Sequence, residues 1–242
     1  MKNWFAPLAA LFLLASCSEQ YRVEGNSSVN NLDGRMLYLK VFRDGDLQSV
    51  DSCEVVHGKF HFEGSLDSVE MVNLFMDDES VMPLVLEPGD IQVNISISGQ
   101  SVTGTVLNDS LYSFIAEKNK VDEQLAELPR LESQMIMDGK DHAEIIAELS
   151  VKADSLAGIA DRLVTRFVIR NMNNVLGPGV FMIVTSAFPY PMLTPQIEQI
   201  MLEATPAFKE HPYVKEFISL AEENMKRMNE DHVSYEEATA GE

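Results

Sequence analysis

The stretch Ile91-Gln92-Val93-Asn94-Ile95-Ser96-Ile97-Ser98 alternates apolar and polar side chains, a period of two that fits a strand with one face buried. Lys59-Phe60-His61-Phe62-Glu63 repeats the pattern with Phe60 and Phe62 inward. Short runs of this kind, separated by turn residues, fill the chain from about Tyr21 to Thr105. At Asn108 the apolar spacing becomes helical. The predicted fold class is α+β: an N-terminal antiparallel β-sandwich of eight or so strands, residues 17–107, followed by an all-helical region, residues 108–232.

Turn chemistry sets finer expectations. His57 and Gly58, between Val56 and Lys59, suit a two-residue hairpin loop. Counting outward pairs Val55 with Phe60, Glu54 with His61 and Cys53 with Phe62, which puts Cys53 on the core face. If Leu37, Leu39 and Val41 share that face with Cys53 and Val55, the loop near Arg43–Leu47 holds an odd number of residues, and three with a left-handed Gly45 satisfies this. Glu87-Pro88-Gly89-Asp90 favours a type II turn, at which the chain crosses between sheets.

In the second half, Leu111, Phe114, Ile115, Val121 and Leu125 follow helical spacing, with Asn108 or Asp109 placed to cap. After a break near Met137-Asp138-Gly139, Ile145, Leu149, Leu156, Ala160, Leu163 and Phe167 form one stripe of the longest helix, Asp141 to Asn173, which Gly177-Pro178-Gly179 ends. Thr194-Pro195 and Thr205-Pro206 read as a cap followed by a first helical residue. A last helix starts near Pro212 and carries Val214, Phe217, Ala221, Met225 and Met228. The acidic end, residues 233–242, has nothing to bury and is expected to be mobile.

The N-terminus gives an address. Lys2 precedes the apolar run Phe5–Ala15, the layout of an export signal, and the run is too short to span a bilayer, which needs ~20 apolar residues. Leu14-Ala15-Ser16-Cys17 resembles the lipobox of bacterial lipoproteins. That resemblance implies removal of residues 1–16 and acylation of Cys17, which would tie the chain to a membrane through its lipid. The mature chain would hold 17 basic against 38 acidic residues, a formal charge of −21. Such a chain repels phosphate backbones and anionic headgroups, so nucleic-acid binding is set aside. With Cys17 acylated, Cys53 is left as a lone thiol and no intramolecular disulfide is possible. If the first strand starts at Tyr21, Ser18, Glu19 and Gln20 form a tether of about 10 Å. The sandwich would then sit close to the membrane, with the helices projecting away or along it.

The runs DSCEVVHGKFHFEGSL, LVLEPGDIQVNIS and VTGTVLND resemble the uncharacterised N-terminal domain (domain of unknown function 4369) that precedes a thioredoxin-like domain in many envelope lipoproteins of Bacteroidetes. The matching residues are Asp51-Ser52, Gly58-Lys59-Phe60, Phe62 with Gly64, Pro88-Gly89, Gly104-Thr105 and Asn108. The resemblance implies a cell-envelope location, with the outer membrane favoured. It also implies a neighbouring redox domain with a Cys-x-x-Cys pair, yet no cysteine follows Cys53 here, and two-thiol exchange needs a second sulfur.

Other chemistry is sparse. The Gly-x-Ser-x-Gly elbow, the phosphate-cradling loop and the His-Glu-x-x-His motif are missing from the sequence, and histidines 57, 61, 142, 211 and 232 are dispersed. Glu54, His61, Glu63 and His57 are either a metal site or, the favoured reading, a solvated face with a Glu54–His61 cross-strand pair. Asp77-Asp78-Glu79-Ser80 is either a calcium loop or, as favoured, a charged turn. Met182, Met192, Met201, Met225 and Met228 either line an apolar groove or fill core between short helices, the second being favoured. VFMIVTSAFPYPML is expected to be buried against the long helix. Asp67-Ser68-Val69, Asp109-Ser110-Leu111 and Asp154-Ser155-Leu156 resemble short O-glycan acceptors, a loose pattern. The expectation is a lipid-anchored, non-enzymatic protein without cofactor or metal that binds an envelope protein, peptide or glycan. The alternative is a part in envelope thiol–disulfide exchange, with Cys53 shut in beside Phe62 and of raised pKa.

Overall fold

The computed structural model describes residues 19–43 and 46–239. The signal segment, Cys17, Gly45 and the last three residues lie outside the described residues. Among the described residues eight strands come first: β1 (Glu19–Ser27), β2 (Met36–Arg43), β3 (Asp46–Glu54), β4 (Lys59–Leu66), β5 (Glu70–Met76), β6 (Glu79–Leu86), β7 (Gly89–Ser96) and β8 (Gly99–Thr103). They form two four-stranded sheets, ordered β4-β1-β7-β8 and β3-β2-β5-β6. Neighbours are antiparallel except β1 and β7, which run parallel with Val23 opposite Ile91. Val23, Phe62, Ile91 and Val93 of the first sheet meet Leu37, Leu39, Val72 and Leu84 of the second in one buried core. The alternation through Ile95 is the inward face of β7, but Ile97 lies beyond the strand's end and is 92% exposed.

The expected β3–β4 hairpin forms only at its tip. His57 (φ 53°) and Gly58 (φ 71°) make the tight turn, and Val56 and Lys59 exchange both backbone hydrogen bonds. Beyond that the two strands part into different sheets, so the pairs Val55–Phe60, Glu54–His61 and Cys53–Phe62 do not form. The backbone of Val55 is committed elsewhere: its N–H donates to the Arg35 carbonyl and its own carbonyl accepts from the Gly34 N–H. Cys53 pairs instead with Leu37, and its side chain packs, half-buried, against the sandwich core, the face the sequence assigns it.

The β2–β3 connection corrects a second expectation. Arg43 pairs with Asp46, which leaves two intervening residues rather than three. The odd residue demanded by the shared inner face is supplied by a bulge: Leu39 faces Asp51 and Lys40 faces Ser49, so Val50 is extra. At Glu87-Pro88 the chain crosses from the second sheet to the first, as the turn signal predicts.

Among the described residues seven α-helices follow: α1 (Val106–Ala126), α2 (Leu128–Met137), α3 (His142–Arg170), α4 (Leu176–Thr185), α5 (Pro195–Glu203), α6 (Pro206–Lys209) and α7 (Pro212–Thr239). Asp141 caps α3 by accepting from the Ala143 N–H (2.9 Å), and Thr194 and Thr205 cap α5 and α6 ahead of their prolines (3.3 Å each). The Gly177-Pro178-Gly179 triplet does not end α3, which stops at Arg170; it forms the first turn of α4, where proline costs no hydrogen bond. The glycines serve close approach instead. A Cβ on Gly177 would lie 2.5 Å from the Asn171 carbonyl oxygen, and one on Gly179 2.2 Å from the Met71 sulfur. α7 buries Val214, Phe217 and Ala221, whereas Met225 and Met228 are exposed, and the helix continues past Ser234 into the segment expected to be a tail.

The helices pack against β6 and β8 and over one end of the outer face of the second sheet. Val85 of β6, with Val69 and Met71 at the start of β5, joins a second core with Leu111, Phe181 and Phe217. A polar lock fixes the helices to the sandwich. β6 is an edge strand, whose outward backbone groups have no ladder partner. Asn108, fully buried in the first turn of α1, takes that place: its Oδ1 accepts from the Val85 N–H (2.9 Å) and its Nδ2 donates to the Val85 carbonyl (2.8 Å). Glu87, just beyond β6, turns Oε1 onto the N–H groups of Leu107 (2.8 Å) and Asn108 (3.0 Å), satisfying two donors that a helix start leaves open. The helical region therefore begins two residues earlier than the sequence suggests, and Asn108 acts across the join rather than as an N-cap.

Candidate functional site

β2 ends and β5 begins at the same corner of the second sheet, which brings Arg43 beside Glu70 as an ion pair. Opposite stand the α3–α4 turn, one face of α4 and the start of α7. Between them lies a cleft of about 780 Å³, within the range of small-ligand sites, roughly 300–1,000 Å³. Met71 from the sheet, Met172 and Val175 from the turn, and Pro178 and Met182 from α4 give it apolar walls. The absent side chain of Gly179 keeps Met71 and α4 in contact at its floor.

Two polar side chains on these walls, Asn174 and Tyr213, are engaged. Asn174 donates through Nδ2 to Asn171 Oδ1 and accepts at Oδ1 from the Leu176 N–H, both at 2.9 Å. Tyr213 shares a 2.8 Å hydroxyl contact with Thr185 and packs against Phe42, ring centres 6.3 Å apart. His211 is exposed at the cleft rim, yet partial desolvation of its ring lowers its pKa, which favours the neutral form. Among the described residues no buried side-chain nitrogen or oxygen lacks a partner.

Of the methionines singled out in the sequence, Met182 lines this cleft; Met192, Met201, Met225 and Met228 do not. Its companions Met71 and Met172 come from a strand and a turn. A signal for Met71 exists in Glu70–Met76, where Met71, Val72, Leu74 and Phe75 put apolar side chains on both faces of one strand, as a sheet covered on both sides requires. VFMIVTSAFPYPML is buried over Val180, Phe181 and Thr185 and opens to solvent at Ile183 and Tyr190.

The strand register places the start of β1 near this corner. Glu19 faces Leu66, and Tyr21 faces Gly89, so the end of the sandwich where β1 starts also carries the β4–β5 and β6–β7 connections. β8 runs back along β7, with Thr103 opposite Gln92, and hands the chain to α1 at that same end. The helices therefore start beside the N-terminal end of the sandwich, not at the far end. β1 begins at Glu19 rather than near Tyr21, which leaves Ser18 between it and Cys17.

Cys53 has a thiol pushed up to about 11 by burial, with a backbone hydrogen bond from His61 opposing and the charge of Asp51 adding. Tyr21 donates to Asp51 across the sandwich (3.2 Å), and burial, then Asp51, raise its pKa to about 12. The proposed Glu54–His61 pair is replaced: His61 sits between Glu24 (3.1 Å) and Glu63 (3.3 Å) on the outer face of the first sheet, while Glu54 belongs to the second. Among the described residues no group of three His, Cys, Asp or Glu side chains could hold a metal ion. In the β5–β6 turn Asp77 pairs with Arg35, and Lys40 reaches Asp78 at 3.9 Å, a charged turn neutralised by its own cations. Asp109 of the second Asp-Ser motif accepts from the Gly104 N–H (3.1 Å) at the start of α1. Among the described residues no helix is long and apolar enough to cross a membrane.

No curated protein and no solved structure matches the chain. One family model does, over residues 21–111, which run from β1 through the eight strands to the lock at Asn108 and the first turns of α1. Over these residues the sandwich and its strap to α1 match the family model described as Domain of unknown function (DUF4369).

Proposed function

We propose that this protein is a non-catalytic, lipid-anchored component of the bacterial cell envelope, tied through Cys17 to the outer membrane, and that the cleft between its two halves is a binding site. The observation that carries the binding role is the cleft itself, of about 780 Å³, walled from both halves of the molecule and dominated by thioether and aliphatic side chains. The anchor rests on residues 1–17: one cation, a short apolar run and Leu14-Ala15-Ser16-Cys17. A lipoprotein's two or more acyl chains would meet the requirement for stable attachment.

A second reading, participation in thiol–disulfide exchange, rests on Cys53. A thiol raised to about 11 is almost wholly protonated at neutral pH, and the thiolate is the nucleophile, so the reading is disfavoured. Fractionation of cells expressing the wild type and Cys17→Ala tests the anchor: the wild type should sediment with membranes and incorporate a palmitate label, and the variant should do neither. A wild type that stays soluble and unlabelled would contradict it. Insulin reduction at a rate above the uncatalysed background would favour the second reading.

A further inference from the structure

We infer that the cleft between the second sheet and α4 shelters an acyl chain carried by Cys17 of the same molecule; the inference rests on the acylation of Cys17 proposed above. Position is the first argument. Glu19 lies opposite Leu66, about 5 Å away across an antiparallel pair, and Ser68, on the cleft wall, is two residues further, at most about 7 Å. Cys17 precedes Glu19 by two residues, so its sulfur lies within reach of the cleft mouth. A ligand held on so short a tether meets the site at a high effective concentration, on the order of millimolar or above for short linkers.

Chemistry is the second argument. The walls are lined by Met71, Met172, Met182 and Val175, and unbranched, polarisable thioethers adapt to an irregular hydrocarbon chain. Of the polar side chains on the walls, Asn174 and Tyr213 already have partners, which weakens the case for a peptide or sugar there. Charge narrows the choice further. A free fatty acid brings a carboxylate, whereas Arg43, the basic side chain on the wall, is committed to Glu70. The ester- and amide-linked chains of an acylated cysteine bring no charge, and this uncharged occupant is the one that matches.

Photocross-linking tests the inference. Cells are fed a palmitate analogue carrying a terminal diazirine, and the full-length protein is purified into detergent-free buffer and irradiated. Peptide mass spectrometry should then find links from Cys17 to peptides bearing Met71, Met172 or Met182. Met182→Arg, checked by circular dichroism, should lower these links about tenfold by placing a charge in the apolar site, while Ile183→Arg on the exposed side of the same helix leaves them unchanged. Cross-links from labelled Cys17 that fall only outside the cleft would overturn the inference while leaving the anchor standing. Absence of label at Cys17 would overturn both.

Discussion

The sandwich closes on itself, whereas the helical region does not. In the sandwich the inward residues of both sheets, among them Val23, Leu37, Phe62 and Leu84, are almost wholly removed from water. The helical region buries stripes such as Val164, Val168, Phe217 and Ala221 but leaves Ile136, Ile146 and Val151 exposed along α2 and α3. Its core is completed by Val85 and Met71 from the outer face of the second sheet. A layer that borrows a face from its neighbour must be held in register with it. The Asn108–Val85 lock does this, and the imperfect closure beside it leaves the cleft.

The contrast can be broken most severely in the sandwich. Phe62→Ala removes a fully buried ring and should cost about 3–5 kcal/mol, read as a fall in the urea midpoint. A loss no larger than that of Ile146→Ala, on exposed α3, would deny the sandwich its closed core. Asn108→Ala should cost about 2–3 kcal/mol, because it strips partners from the buried Val85 N–H and carbonyl. Its signature is regional: amide exchange should quicken at Val85 and the first turn of α1 while β1 and β4 stay protected. Uniform quickening would mean that the two halves are not joined at this point.

Gly177→Ala should cost about 1–3 kcal/mol, since the new methyl meets the Asn171 carbonyl oxygen, a backbone atom that cannot swing aside. Gly179→Ala should cost less, because the atom it meets belongs to the flexible Met71 side chain. Equal losses would show that Met71 is locked in place. The smallest effects come from pH and differ between the halves. The Cys53 and Tyr21 pKa values are raised in the folded sandwich, so their contribution is intact below the unfolded values of 9.0 and 10.0 and is lost as pH climbs towards 11 and 12. The His211 pKa is lowered, so its contribution is present above 6.5 and is lost as pH falls below it. Alkali above pH 9 should therefore loosen the sandwich and also its join to α1, where burial raises the Tyr112 pKa. Mild acid should act on the corner before α7 alone, seen by exchange at β1, β3 and α1 against the start of α7.

Legibility followed the same division. In the sandwich a period of two, turn residues and parity arguments identified the inward faces of β4 and β7, the sheet crossing at Glu87-Pro88 and the core side of Cys53. They failed where long-range pairing overrides local signals: the Val55 backbone is taken by Gly34 and Arg35, so the β3–β4 hairpin opens, and a bulge at Val50 replaces a longer loop. In the helices, Thr-Pro caps and Asp141 were readable because capping is local. Gly177-Pro178-Gly179 was misread as a stop because its glycines answer to Asn171 and Met71, contacts no local pattern carries. The cleft was the least legible part, since its walls come from β2, β5, α4 and α7 together.

Intact mass spectrometry of the protein extracted from membranes bears most directly on the claim that this is an anchored binding module. A mature chain starting at Cys17, heavier than its sequence by a diacylglyceryl group with or without an N-acyl chain, is the predicted result. A chain that retains residues 1–16, or that carries an unmodified Cys17, would contradict it.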